Sequence, residues 1–429
     1  MAVGTGFGRT DDDAAPLRKN REFNLLWGSQ AASQLGSAVS IMAFPLLVLS
    51  IDGSPVQAGA VGTVQAVIRA VFQLPAGALT DRWNRKRLML ACDAGRAALF
   101  ALLAAAVVIG QASLPLVFAV SGTAAVMDVL FGPAETAAIS QLVPAGRVSE
   151  AFARNEARSY TAALVGPSFG GFLYTLGRAV PFAFDALSYL VSFGSIAAIR
   201  KPLQQSRNNI SDSSLVSDIR EGLRYVAGSP FLRAVILVAT PVNFALVAAQ
   251  FSVTLVLNKN GYPPSVLGLA QGVIAAGGLL GAFTAAWIQR RAPFHALLRA
   301  AVSIMFVLLV ASALLTGRLL MVIPLALGLL LAPAINAALL GRLAATTPDH
   351  LQGRVISVVV LFATVTAAAA PLSAGLLVER LTGTAAMTAC AAAMALSLIS
   401  ALCLGGLRNG PVEGRQCRNV EGSRESAPL

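Results

Sequence analysis

Several charged side chains fall inside or at the ends of long apolar runs, where an unpaired charge is costly. Asp128 and Arg69 each lie about 14 residues into such a run. At the centre of a hydrocarbon layer each would cost about 2.5–3.5 kcal/mol on an insertion scale. A pair between them would let both stay charged. Burial and a neighbouring cation pull a carboxyl's proton affinity in opposite directions, a balance suited to a group that binds and releases a proton. Three readings of Asp128 stay open: a proton carrier with Arg69 beside it, a fixed structural pair, or placement at a lipid or water edge. Asp93 and Arg96, three apart near the inner end of the third run and close to the charged hairpin that precedes it, read as support for that hairpin. Glu135 and Glu156 read as near the surface, and Asp185 as a partner for Arg178 near the opposite end of the sixth run. The second half of the chain has no acid inside any run, so a proton carrier falls in the first half.

That hairpin is Gly77-Ala-Leu-Thr-Asp81-Arg82-Trp83-Asn84-Arg85-Lys86-Arg87, an aspartate followed by four cations. Apolar sequence flanks it on both sides, as in two membrane helices joined by a short charged turn. A carboxylate at a helix end needs a partner, and Asp81 can accept from a free helix N-terminus or from an arginine. Such a cluster can clasp two helices and release them. The plainer reading is a helix cap plus membrane-orienting charge.

Polar residues at helical spacing mark candidate cavity walls. Gln30, Gln34 and Ser37 share a face of the first run, with Phe44 further along. Asn243 and Gln250 share a face of the seventh, with Phe244 and Phe251 alongside, and Asn336 stands alone in the tenth. Amides and aromatics with few fixed charges suit a bulky amphipathic ligand. Hydrogen bonding between helices is the other reading of each amide.

The elements that must position these residues are membrane helices. The chain has 429 residues, 56% hydrophobic and 12% charged, with a mean hydropathy of +0.71. Soluble domains carry about 25% charged residues. The apolar residues come in runs of about 20 or more, enough to cross about 30 Å of hydrocarbon. Spans are expected at 23–50, 55–80, 87–110, 114–142, 153–177 and 180–199, then 231–258, 263–289, 295–316, 319–341, 354–378 and 383–406. With the N-terminus in the cytoplasm, 26 of the 32 Lys and Arg fall on the cytoplasmic side, four outside and two within spans. This bias places both termini in the cytoplasm of a plasma-membrane protein. It also accounts for the net charge of +12 without a nucleic-acid partner. Four cysteines and two histidines lack metal-ligand spacing, and no phosphate-binding loop is present. The chain therefore reads as a non-enzyme without metal or cofactor, in a lipid bilayer, working as a monomer on a small molecule.

The halves look duplicated. Gly77 and Gly281, Pro144 and Pro348, and Pro167-Gly171 and Pro371-Gly375 are each 204 positions apart. The expected fold is all-α, twelve transmembrane helices in two six-helix bundles related by a parallel pseudo-two-fold repeat. The bundles cover 23–199 and 231–406. A cytoplasmic tail, 1–22, and a second tail, 407–429, read as disordered. The linker, 200–230, holds an amphipathic stretch, Asp218–Val226, that reads as a surface helix or a simple connector.

Gly77-x-Leu-x-Asp81-Arg82-x-x-Arg85-Lys86, with six plus six helices, resembles the major facilitator superfamily, although Asn84 stands where a glycine is usual. Gly166-Pro167-Ser-Phe-Gly170-Gly171 resembles a motif of drug-exporting antiporters in that superfamily. Ser33-Gln34-Leu35-Gly36, Phe131-Gly-Pro-Ala134, Phe184-Asp185-Ala-Leu-Ser188 and Gln352-Gly353-Arg354-Val355 are similar to the branch holding macrolide-efflux proteins and the enterobactin exporter. The resemblance implies alternating access around a cavity lined by spans 1, 4, 7 and 10. It implies an inner latch between Asp81 and Arg354, helped by Arg82, Arg85 and Lys86, and a span 5–span 8 seam carrying Gly166, Pro167, Gly170 and Gly171. The expected function is proton-coupled export of amphipathic small molecules such as drugs, antibiotics or siderophores. Alternatives are an importer or lysolipid transporter on the same fold, and a receptor or scaffold that does not transport. Relatives often carry an acid where this chain has Ser37, which counts against a carried-over proton mechanism.

Overall fold

The computed structural model describes residues 17–201, 203, 215–291, 293–347 and 349–403. The first bundle contains α1 (Arg21–Ile51), α2 (Pro55–Arg82), α3 (Arg85–Val108), α4 (Leu114–Leu142), α5 (Val148–Leu176) and α6 (Val180–Ala198). A connecting helix, α7 (Leu215–Gly228), leads to α8 (Pro230–Lys259), α9 (Pro264–Gln289) and α10 (Phe294–Leu314). Then come α11 (Val322–Leu329), α12 (Ala332–Thr346), α13 (Asp349–Ala368), α14 (Ala370–Arg380) and α15 (Gly383–Cys403). No strand occurs among the described residues. The helices begin where the local chemistry says they should. Asn20, Ser54, Asn84 and Ser229 each accept a backbone N–H from the first turn with their side chains. Pro55, Pro230 and Pro264 stand at first helical positions, where their missing N–H is not needed.

The twelve expected spans are all present, two of them broken. The tenth divides into α11 and α12 just before Pro333, and the eleventh into α13 and α14 just before Pro371. Proline has no N–H to continue the ladder. Ten stretches are long and apolar enough to cross a membrane, the broken pairs counted as Leu319–Leu343 and Val355–Arg380. α2 and α5 have the length, 28 and 29 residues, but fall short in hydropathy. Both lie where the two halves meet: α2 packs on α13 and α14, and α5 packs on α9.

Those two seams are copies of one another. Gly59 of α2 lies against the Pro371 carbonyl, as Gly268 of α9 lies against the Pro167 carbonyl. Gly375 lies against the Pro55 carbonyl, as Gly171 lies against the Pro264 carbonyl. The pairing sets α5 against α14 at the expected 204 positions. It sets α2 against α9 at 209, however, because Pro55 matches Pro264 and Gly59 matches Gly268. The surroundings of Gly77 and Gly281 differ as well: Gly281 abuts the Leu330 carbonyl, whereas among the described residues no atom outside its own helix lies within 4 Å of a side chain built at Gly77.

Other expectations are corrected at the ends. Residues 17–22, read as part of a disordered tail, fold: Leu17 is fully buried and the Asn20 amide donates to the Leu142 carbonyl at 2.8 Å. The predicted disorder of 1–16 and 407–429 lies outside the described residues, as do 204–214 of the linker. α7 packs on α13 and α8 and buries Val226, while Leu223 is exposed, so its apolar face is partly used inside the protein.

Candidate functional site

Asp93 and Arg96, one helical turn apart on α3, form an ion pair of 2.6 Å, both nearly inaccessible. The sequence reading placed them in support of the charged hairpin. They instead reach inward. The second Asp93 oxygen accepts from Ser192 Oγ of α6 at 2.5 Å, and Ser192 in turn accepts from Gln30 Nε2 of α1 at 2.7 Å. Arg96 lies over the rings of Phe131 and Tyr189, at 4.7 and 4.3 Å from their centroids. Its other nitrogen is 3.6 Å from Asp128, and Arg69 Nε of α2 is 3.6 Å from the second Asp128 oxygen. The expected Arg69–Asp128 pair is thus part of a chain of charges running from α2 through α4 to α3.

Arg69 and Asp128 are about half exposed and border a cavity in the N-terminal half. Ser37, Phe44, Tyr189 and Asp185 also border it. Ser37 shares a hydrogen bond of 2.8 Å with the Tyr189 hydroxyl. Phe44 packs with Phe100 and Phe182 at centroid distances of 5.8 and 5.3 Å. Asp185 does not pair with Arg178, which lies instead in a groove at the end away from the termini. Asp185 is fully buried beneath α1, where any side chain at Gly36 would strike it and Ser188.

A second buried pair escaped the sequence reading. Arg158, counted among the surface charges, sits inside α5, 4% exposed, and binds Glu135 of α4 at 2.6 Å. Its Nε donates to Gln34 Oε1 at 3.1 Å. Gln30 and Gln34 are therefore engaged between helices and do not border the N-terminal cavity. The signal was weak: Arg158 follows a polar helical start, and nothing near it in sequence names Glu135.

The C-terminal half has a small apolar cavity, about 70 Å³, between α8, α10 and α12, and its polar members are Asn243 and Asn336. Phe244 and Phe251 are partly buried against the core, and the Gln250 main-chain carbonyl accepts from Gln271.

The hairpin is shaped by its own side chains. Asn84 accepts the Arg87 N–H at 3.0 Å and caps α3 with a backbone φ of −69°, so this turn does not need the usual glycine. Lys86 Nζ donates to the Ala197 and Ile199 carbonyls at 2.9 and 2.6 Å, closing the end of α6. Arg82 is exposed, and Arg85 has contacts of its own. The side chains of Asp81 and Arg354, the expected latch, lie outside the described residues. Of the span 5 motif, Pro167 and Gly171 meet α9 at the seam. Gly166 and Gly170 meet Ala38 and Val39 of α1, inside their own half, and Gly277 and Gly281 meet α11. The small-residue ridges therefore serve mainly to build each bundle.

At the end away from the termini, Glu379 of α14 joins the halves. Its Oε2 accepts from Ser54 Oγ at 2.7 Å and from the Val56 N–H at 2.9 Å, a carboxylate on the N-terminus of α2. Thr63 Oγ1 accepts the Leu372 N–H at 3.1 Å, deeper in the same seam. Glu379→Ala is expected to loosen this seam. The check is maleimide labelling of a single cysteine placed at Gln57, which should rise severalfold over the same cysteine beside Glu379. Equal labelling would show the contact to be incidental.

Two half-bundles with paired seams, a charged cavity in one and an apolar cavity in the other, form an arrangement for binding a small molecule between helices. No group of three or more potential metal ligands occurs among the described residues. The Major Facilitator Superfamily model matches residues 26–371. The multidrug efflux pump Tap of Mycobacterium tuberculosis is 31% identical over 385 residues, 85% of this chain and 88% of the relative. Macrolide efflux protein A of Streptococcus pyogenes is 24% identical over 269 residues, 61% of this chain and 66% of the relative. In fold, a bacterial homologue of the human lysosomal transporter Spinster superposes with a TM-score of 0.67 at 16% identity, covering 92% of this chain and 100% of its own. A bacterial homologue of the iron transporter ferroportin also gives 0.67 at 16%, covering 91% and 99%. Helix order, duplicated seams and a family match over most of the length agree: this chain is a multi-pass membrane transporter that belongs to the Major Facilitator Superfamily.

Proposed function

We propose that this transporter exports amphipathic, drug-like small molecules across the plasma membrane by alternating access, driven by proton entry. The observation that carries the reading is the asymmetry of the two cavities. The N-terminal cavity offers fixed charge and hydroxyls from Asp128, Arg69 and Ser37. The C-terminal cavity offers apolar surface with two amides, Asn243 and Asn336. A ligand with one polar end and one greasy body matches such walls. The efflux roles printed for the relatives from Mycobacterium and Streptococcus agree with this class of cargo. The coupling proton binds in the N-terminal cavity, whose carboxyls are Asp128 and Asp185 beside Arg69. The 26-to-4 distribution of basic residues supports cytoplasmic termini. The hairpin then faces the cytoplasm, where Asp81 and Arg354 close the inner side, and the Glu379 seam closes the outer one. The working unit is a monomer, because each half supplies one wall.

The test is accumulation of fluorescent amphipathic compounds in cells producing the protein, with and without a protonophore, beside Asp81→Asn. Lower accumulation that needs both the gradient and Asp81 is expected. Higher accumulation in producing cells would instead indicate an importer.

A further inference from the structure

The N-terminal cavity holds more acid than its cations match. Asp93 is taken by Arg96 at 2.6 Å. Asp128 is the counter-ion of both Arg69 and Arg96, each at 3.6 Å. Asp185 is the third carboxyl of this group and borders the cavity together with Asp128; among the described residues it forms no ion pair. Like Asp93 it is fully buried, whereas Asp128 is about half exposed. Ser188 Oγ, one turn along α6, is 3.2 Å from its Oδ1, while its Oδ2 meets no donor. Ser40 of α1 faces the carboxyl without reaching normal hydrogen-bond geometry. The charged and titratable groups around it are Arg96 and Asp93 from α3, Asp128 from α4, Arg69 from α2 and Tyr189 from α6. α1 presents Gly36, Ser37 and Ser40, none of them charged.

An ionised carboxyl with no cation and a bare oxygen is a poor occupant of such a place, and a protonated one is a good occupant. The absence of a side chain at Gly36 lets α1 close over it. We propose that Asp185 is the group that binds and releases the transported proton, with Asp128 held as the fixed counter-ion of Arg69 and Arg96. The inference rests on the reading of the chain as proton-driven. The step makes and breaks one O–H bond: the carboxyl gives its proton to cavity water on one side and takes another from water on the other side after the halves have moved. With the proton bound, the five charged positions balance, two arginines against Asp93 and Asp128. Without it they carry one uncompensated negative charge. Loading and release of the proton therefore change the field that a cargo in the cavity meets.

The test uses the purified full chain in proteoliposomes with radiolabelled tetraphenylphosphonium as the probe. A pH gradient should drive its accumulation by the wild-type protein. Asp185→Asn, which keeps the shape of a protonated carboxyl, should lose this by tenfold or more and keep gradient-free exchange of the same cation. No gradient effect in the wild type would remove the proton-driven reading itself. A gradient effect in the wild type that persists in Asp185→Asn would overturn the assignment alone. An infrared measurement decides independently of transport: the carboxylic C=O band of the wild-type protein near neutral pH should vanish in Asp185→Asn. An unchanged band in Asp185→Asn overturns the proposal. If Asp185→Asn does not fold, Ser188→Ala leaves the carboxyl in place without its donor and should shift the pH midpoint of transport; an unshifted midpoint has the same force against the proposal.

Discussion

Arg96→Met is expected to destabilise the protein by about 3–5 kcal/mol, the cost of leaving a buried charge without its partner. Arg96 is 3% exposed and holds two carboxylates, Asp93 at 2.6 Å and Asp128 at 3.6 Å. Methionine keeps an apolar stem between Phe131 and Tyr189, so lost packing is a small part of the change. What remains is the Asp93 carboxylate, fully buried, with Ser192 as its donor. Thermal denaturation in detergent, followed by the surviving monodisperse fraction, should show a large fall in the midpoint. Adding Asp93→Asn to Arg96→Met should restore a good part of it, because the unpaired charge is then gone. An unchanged midpoint in the single variant would mean that cavity water solvates both acids and that Arg96 is not a structural residue.

Gly171→Val is expected to abolish most transport while leaving the bundles folded. A Cβ at Gly171 would meet the Pro264 carbonyl and lie 2.9 Å from Gly268 Cα, both main-chain atoms that cannot swing aside. Overpacking of this kind costs about 1–3 kcal/mol. The cost falls only on the arrangement in which α5 and α9 touch. A bias of that size shifts a two-state equilibrium by about 5–150-fold. Expression and helical content should match the unmodified protein, while efflux falls at least tenfold. Gly278→Val is the control, since among the described residues no atom lies within 4 Å of a side chain built there beyond the helix itself. Equal loss in both variants would mean that valine in α9 or α5 is harmful for a general reason, and normal efflux in Gly171→Val would show that this seam need not close.

Much of this architecture is legible in the order of residues. Run length and hydropathy determine the membrane helices, because every backbone polar group in hydrocarbon must be satisfied within its own helix. Local capping determines the hairpin, where Asn84 accepts the N–H of Arg87 three residues on. The repeat is visible because duplicated seams keep their glycines and prolines, Pro167 and Gly171 in one half, Pro371 and Gly375 in the other. Similar depth points to a pair of Arg69 with Asp128 among other placements, and the structure adds Arg96 as a second cation on Asp128.

What only the tertiary structure decided is which side of each helix faces what. Gln34 and Ser37 are three residues apart, yet Gln34 is held by Arg158 and Ser37 borders the cavity. Gly166 and Gly171 belong to one motif, yet one meets α1 and the other α9. Helical spacing shows which residues share a face but not the neighbour opposite, and in a protein built wholly of apolar helices several neighbours fit equally well. The partners of Arg158 and of Asp93 come from helices distant in sequence, and the bare oxygen of Asp185 is a property of the space between α1 and α6. A chain of residues carries the cost of each buried charge; the packing of the helices decides which charges are matched by a partner and which are not.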